Sequence, residues 1–174
     1  DNYMSNGGNL QVYFNIGNQN LPNLYRYLES WGIGVNNDVV AETDENQLLI
    51  ISGNGQRLIM PVIEDTEFTH SLIEKKRSLA YLPYSKSLTQ KFEINGTIKT
   101  MPILTSTEKT HLSNNYEDVS QSNGSPEGKY AVGMLAEDSK TNSSVYVSGN
   151  TALLQIEEKT LSNNYNLANY DYFM

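Results

Sequence analysis

The side chains in this sequence best suited to acid–base or cation chemistry are carboxylates. Glu64, Asp65 and Glu67 stand almost side by side, and Asp38, Glu42, Asp44 and Glu45 form a looser acidic run. Two carboxyl groups facing each other across ~5–10 Å can cleave a glycosidic bond, and carboxylate oxygens also suit hard cations. Asp38 and Glu64 are the pair for that alternative, a hydrolase acting on extracellular glycans. The plainer reading is that Glu64, Asp65 and Glu67 complement the dipole of a helix starting near residue 68, and that the 38–45 run is a solvated loop. The other chemistry is thin. His70 and His111 are the only histidines, and neither sits in an H-x-x-x-H or H-E-x-x-H spacing that would hold a metal. Ser106 and Thr107 lack the Gly-x-Ser-x-Gly elbow of an exposed nucleophile. Ser52-Gly53-Asn54-Gly55 lacks a third glycine and precedes a strand, so it reads as a hairpin turn, not a phosphate cradle. With no cysteine there is no thiol nucleophile, disulfide, iron–sulfur cluster or cysteine zinc site. The expectation is no catalytic residue, no metal and no cofactor.

Charge narrows the partners. Twelve Lys and Arg against 20 Asp and Glu give a net charge of -8. Nucleic acid needs a basic face, and anionic lipid attracts basic clusters, so neither is expected to bind directly. The surface is solvated largely by amides and hydroxyls, with 21 Asn and 17 Ser. In such a chain the sequons at Asn95, Asn123 and Asn142 arise from composition. The segment 108–116 (EKTHLSNNY) recurs at 158–165 (EKTLSNNY). It reads either as a duplicated contact surface, since Tyr and Asn make adaptable contacts, or as a compositional echo, the reading we favour.

These groups need elements to position them. Gly7-Gly8 stops a short helical segment, and residues 10–14 read as a strand. Pro22 suits a first helical turn; Leu21, Leu24, Tyr25, Leu28 and Trp31 then form one apolar stripe, stopped by Gly32 and Gly34. Residues 48–52 and 57–62 flank Gly53-Asn54-Gly55 as a hairpin, with Pro61 marking an edge or strand end. A short helix is expected over 68–76 and a strand over 79–84. Asn95-Gly96 is the strongest hairpin signal, with the second arm running on through Thr105. Residues 112–127 read as loop, 130–136 and 144–148 as strands joined by a tight turn, and 152–156 and 170–174 as helix starts. The length is one domain's worth of chain, residues 1–174. No stretch approaches the ~20 apolar residues of a membrane span. Starting at Asp1, the chain reads as a piece excised from something longer.

The order of these segments resembles a known family. Tyr3, Gly7-Gly8, the 10–14 strand, the 21–30 helix, Trp31-Gly32-Ile33 and Asp38-Val39-Val40 are similar to the extracytoplasmic domain of the ABC-type uncharacterised transport system family, auxiliary proteins related to the gliding-motility protein GldG. Leu104-Thr105-Ser106, Val147-Ser148-Gly149-Asn150-Thr151-Ala152-Leu153 and Asn169-Tyr170-Asp171-Tyr172-Phe173 extend the resemblance along the chain. It departs from the family at Asn150, where an acidic residue is frequent.

The resemblance implies an α/β fold, a flavodoxin-like or glutamine-amidotransferase-like three-layer core with added β-hairpins. The family's first strand and most of its first helix would lie before Asp1, leaving a sheet edge open to self-association. Amidotransferase chemistry needs a nucleophilic Cys, so the scaffold would serve binding. The implied partners are the membrane and ATPase subunits of an ABC transporter, or a solute, at the extracytoplasmic face of a bacterial membrane. In an α/β sheet ligands meet the carboxyl ends of the strands. That places the expected site on loops 15–19, 105–109 and 148–151, with Asn15, Asn18, Thr105, Ser106, Ser148 and Asn150 as its residues. A third reading is a structural spacer without any polar hollow.

Overall fold

The computed structural model describes residues 2–17, 19–50, 57–75, 80–120 and 122–151. The helical stripe forms α2 (Pro22–Ser30), with Pro22 in its first turn. Its inner face buries Leu28 and places Leu24 and Tyr25 against Phe14, Ile33, Met134, Val145 and Val147. A one-turn helix α1 (Asn2–Ser5) precedes it, and α3 (His70–Glu74) is barely longer. No described helix is long and apolar enough to cross a membrane.

Strands carry the rest. The main sheet contains β1 (Asn9–Tyr13), β2 (Ile33–Val35), β6 (Val62–Ile63), β7 (Leu88–Gln90), β8 (Ile94–Asn95), β9 (Ile98–Thr105), β11 (Ala131–Asp138) and β12 (Ser143–Ser148). Its main path runs β1-β12-β11-β7-β2, and β9 flanks β11 while carrying β6 and β8. The sheet curls into a half-barrel. One side of the sheet holds the α2 cluster. A second cluster, with Val40, Ile59, Ile63, Leu82, Leu104, Leu112 and Val132 buried, joins the sheet to smaller ribbons. Those ribbons are β3 (Val39–Glu42) with β10 (Thr110–Ser113), and β4 (Leu48–Ile50) with β5 (Arg57–Ile59).

The flavodoxin-like three-layer α/β core is therefore not the fold of this chain. Among the described residues only β1 and β12 pair in parallel, and every other pair is antiparallel. A doubly wound sheet needs a crossover helix between successive parallel strands, and of the described helices α2 alone is long enough to resemble one. Short turns join β8 to β9 and β11 to β12, which dictates antiparallel neighbours there.

Several local expectations shift as well. The turn of the β8–β9 hairpin is Gly96-Thr97, not Asn95-Gly96: Asn95 pairs with Ile98 and Gly96 takes φ +62°. Glycine at the first turn position is the type II′ arrangement, which matches the twist of the strands. Gly34 lies inside β2 and does not stop α2; Gly32 alone does that, at φ +81°. Of the strand expected over 79–84, the described residues 80–84 make a bridge between Leu82 and Ile59. The loop expected from residue 112 begins later, since Leu112 and Ser113 belong to β10. The turn at 53–55, Asn18, Lys76-Arg77, the second copy of the repeat and the helices expected after residue 151 lie outside the described residues. β1 is an edge strand of the main path, as is β2, and the Tyr3 hydroxyl caps the first backbone pair of β1, accepting from Asn9 N–H at 3.1 Å and donating to Asn9 C=O at 3.0 Å.

Candidate functional site

The β3–β10 ribbon has two faces because side chains alternate along a strand. Val40 and Leu112, paired opposite each other, enter the second core cluster. Ala41 and His111, the next pair, face the other way. Ala41 is small, so a gap opens beside the imidazole. Three further pieces wall that gap. Val40 N–H donates to Ser85 C=O at 2.8 Å, which brings Pro83 and Tyr84 alongside. The Leu82–Ile59 bridge adds Leu48 and Ile59 from the β4–β5 hairpin. The polar loop after β10 returns over the ribbon, tied down by Asn123 N–H to Leu112 C=O at 2.7 Å. The result is a hollow of about 410 Å³ with an apolar floor and the exposed residues Glu117 and Asp118 on its border. Small-molecule sites have this size and this mixture of apolar wall and few polar groups.

The polar groups around the hollow differ in how far they are already engaged. His111 Nε2 lies 3.0 Å from Val119 C=O. A carbonyl can only accept, so Nε2 donates to it, and in the neutral imidazole Nδ1 is then the acceptor. Asp118 accepts from Ser120 N–H at 3.1 Å and from its hydroxyl at 2.5 Å. No hydrogen bond or ion pair of the Glu117 carboxylate occurs among the described residues.

Glu42 borders the hollow, but its carboxylate is fully occupied. It is 6% exposed and accepts from Thr43 N–H (3.0 Å), Asp44 N–H (2.8 Å), Thr107 N–H (2.9 Å), Thr107 Oγ1 (2.8 Å) and Thr110 Oγ1 (3.0 Å). It is a clamp that ties β3, β10 and the loop after β9. Behind β3, Asp38 accepts from Ser87 N–H and Oγ, both at 3.1 Å. The ammonium of fully buried Lys86 donates to Asn37 Oδ1 at 3.0 Å and Asn36 C=O at 3.4 Å. Burial lowers the pKa of Lys86, and the Asp38 charge opposes that shift.

The loops expected to bind share one edge of the sheet. β1, β9 and β12 all run in the direction opposite to β11, so their carboxyl ends meet near its start. The residues there are engaged in holding the chain. Asn15 bonds Thr151 side chain to side chain. Ser148 Oγ donates to Asn150 C=O at 3.0 Å and accepts from Asn150 N–H at 3.2 Å. Ser106 N–H donates to Tyr130 C=O at 2.8 Å while its hydroxyl accepts from Tyr130 N–H at 2.9 Å. Thr105 Oγ1 donates to Glu64 at 2.5 Å. Thr105, Ser106, Ser148 and Asn150 are buried, and only Asn15 is exposed. None of the five borders the hollow beside His111 or the two cavities on the sheet face opposite α2.

The carboxylates of the hydrolase alternative go to different partners. Glu64 takes Thr105 and Lys129, while Asp38 takes Ser87. Neither borders one of those cavities. Asp65 and Glu67 also pair separately, with His70 at 2.8 Å and Lys99 at 3.0 Å. Among the described residues, no three His, Cys, Asp or Glu side chains gather to hold a metal. Asn95, Asn123 and Asn142 are all exposed.

His70 supplies a pH-dependent contact. Its hydrogen bond to Asp65, then the charges of Asp65 and Glu74, raise its pKa above the ordinary 6.5. A folded-state pKa above the unfolded one adds stability that is complete below the unfolded pKa and fades as pH rises through the folded value. We expect the His70 ring protons to titrate by NMR with a midpoint above 6.5, and Asp65→Asn to lower it. A wild-type midpoint at or below 6.5 would contradict the contact.

What sequence reasoning missed is the Ala41–His111 pair. Its signal was present as two four-residue stretches, Val-Val-Ala-Glu and Thr-His-Leu-Ser, but the nearest paired residues, Glu42 and Thr110, lie 68 positions apart. No local rule joins strands that distant. No protein-family model matches this chain, and neither the curated proteins nor the solved structures yield a match.

Proposed function

We propose that this chain is a non-catalytic binding domain whose hollow beside His111 takes a small organic amine with an apolar body. The observation that carries this reading is the pairing of Ala41 with His111 on the outward face of β3–β10. It creates an apolar space bordered by an imidazole acceptor and by the uncommitted Glu117 carboxylate. An ammonium is the group those two acceptors suit, and the half-buried Leu48, Pro83 and Tyr84 suit its hydrocarbon part. In favour of binding over catalysis, His111 is oriented by a backbone carbonyl, where a general base is usually held between a nucleophile and an orienting acid. Attachment to an ABC transporter at the outer face of a bacterial membrane is a separate proposal. It rests on the ordered sequence segments alone, because the fold they implied is not the one found.

The probe is phenethylamine, compared with its neutral analogue 2-phenylethanol, by isothermal titration calorimetry on the 174-residue chain. We expect saturable binding of the amine, weaker binding of the alcohol, and roughly tenfold losses with His111→Ala or Glu117→Gln, as for deletion of one charge-assisted hydrogen bond. Ala41→Phe, which fills the hollow, should abolish binding while the far-ultraviolet spectrum stays unchanged. Equal binding of amine and alcohol, or undiminished binding by a folded Ala41→Phe variant, would refute the reading.

A further inference from the structure

The face of the main sheet turned away from α2 carries its side chains in transverse rows. Paired residues across neighbouring strands share a face, so the register assigns each row directly. One row runs Asn9, Ser144, Glu137 and Lys99 across β1, β12, β11 and β9; the next runs Gln11, Tyr146, Leu135 and Met101. The turn before α3 lies across this face, anchored by Glu67 to Lys99 at 3.0 Å. Between that segment and β1 a trough remains. Its apolar half, about 470 Å³, is walled by Phe68, Leu72, Leu135 and Tyr146. Its polar half, about 680 Å³, contains Glu137, Glu67 and Lys99, and the two halves share Asn9 and Ser144.

Three observations say what would occupy it. First, Phe68 and Ile94 are 40% and 65% exposed, and they border the two halves. They are two of the four large apolar side chains that stand exposed among the described residues, and exposed apolar groups around a groove mark interaction sites. Second, the Glu137 carboxylate makes no hydrogen bond or ion pair among the described residues although the residue is half-buried. Burial, then the charge of Glu67, raises its pKa, and Lys99 offsets this only in part. A cationic partner would relieve that cost. Third, Leu135 and Glu137 stand two residues apart on one strand, about 6.5–7 Å along it. An extended peptide lying along β11 presents its own side chains i and i+2 at the same interval.

We propose that this trough docks an extended segment of another protein in which an apolar residue is followed, two positions later, by arginine. The apolar side chain sits over Leu135 between Phe68 and Tyr146, and the guanidinium meets Glu137. Acidic net charge on this chain favours the encounter with a basic partner. This site shares no lining residue with the hollow beside His111, and it stands or falls independently of that reading.

The test is fluorescence anisotropy with a labelled peptide Gly-Ser-Leu-Thr-Arg-Ser-Gly and the 174-residue chain, at 50 and 500 mM salt. We expect saturable binding that weakens at the higher salt and falls at least fivefold when the peptide arginine becomes glutamine or its leucine becomes serine. Glu137→Gln, an isosteric change at a half-buried site, should cost a similar factor, and Phe68→Ser likewise, while Glu117→Gln leaves binding unchanged. Amide shift changes in the ¹H–¹⁵N spectrum should map to Leu135, Glu137 and Ser144. Unchanged affinity in a folded Glu137→Gln variant would overturn the proposal. So would saturable binding of maltohexaose without binding of the peptide, which would assign the face to a glycan.

Discussion

Gly149→Ala is expected to destabilise this protein by about 3 kcal/mol, at the upper end of what one added methyl does in a packed interior. Gly149 follows β12 at the place where the sheet meets the 82–87 segment. Its N–H donates to Val132 C=O at 2.9 Å, and its C=O accepts from Lys86 N–H at 2.9 Å. A Cβ there would lie within 3.0 Å of the Lys86 carbonyl oxygen and 2.5 Å from Ser85 Oγ. The first of these is backbone and cannot swing aside. The chain must separate, and the Lys86–Gly149 hydrogen bond goes with it. For a chain of this size such a loss lowers Tm by roughly 6–12 °C. Urea unfolding gives the free energy directly. Gly128→Ala is the control, because nothing lies within 4 Å of its Cβ; equal effects at the two glycines would remove the close-approach argument.

Glu42→Ala should cost about 4 kcal/mol, because it strands four buried or half-buried donors at once. Two are backbone N–H groups, of Asp44 and Thr107, and two are the hydroxyls of Thr107 and Thr110; Thr43 N–H keeps a second acceptor in Lys109 C=O. Glu42→Gln keeps the shape but turns an NH₂ toward donors, so about half of that loss is expected. Urea denaturation of both variants measures the free energies, and hydrogen exchange at Thr107 should accelerate in each. A loss below ~1 kcal/mol for the alanine variant would mean that water replaces the carboxylate without penalty. Because Glu42 follows Ala41 directly, its loss should also weaken binding in the adjacent hollow.

Legibility in the sequence followed the range of the interactions. α2 was readable because Pro22, Leu24, Tyr25, Leu28 and Trp31 lie within three turns, and a helix is made of contacts three and four residues apart. The β8–β9 and β11–β12 hairpins were readable for the same reason, though the turn residues of the first moved by one position. β10 was not. Thr-His-Leu-Ser has no strong strand signature, and it becomes a strand only because Val39–Glu42 lies beside it. The 80–84 stretch shows the reverse case: apolar and strand-like by composition, it makes a single bridge, between Leu82 and Ile59.

The family resemblance misled on fold for a related reason. Ordered short segments such as Trp-Gly-Ile and Asp-Val-Val report which elements occur, not which of them pair. β1 and β12 do run parallel, as an α/β sheet would have them. The hairpin-joined strands β8, β9, β11 and β12 then force antiparallel neighbours and curl the sheet.

By itself the sequence determined what this protein lacks. A chain with no cysteine and two isolated histidines has no thiol chemistry and no histidine pair at metal-binding spacing, whatever the fold. Those conclusions rest on residue type alone, so no folding step can undo them. Only the tertiary structure decided which of the remaining polar groups are spent. Glu42, Asp38, Ser106 and Ser148 look alike in sequence to Glu117 and Glu137, yet the first four satisfy buried donors or acceptors and the last two do not. That difference is set by neighbours dozens of residues away, because a carboxylate is committed or available according to what the fold brings within about 3 Å of it.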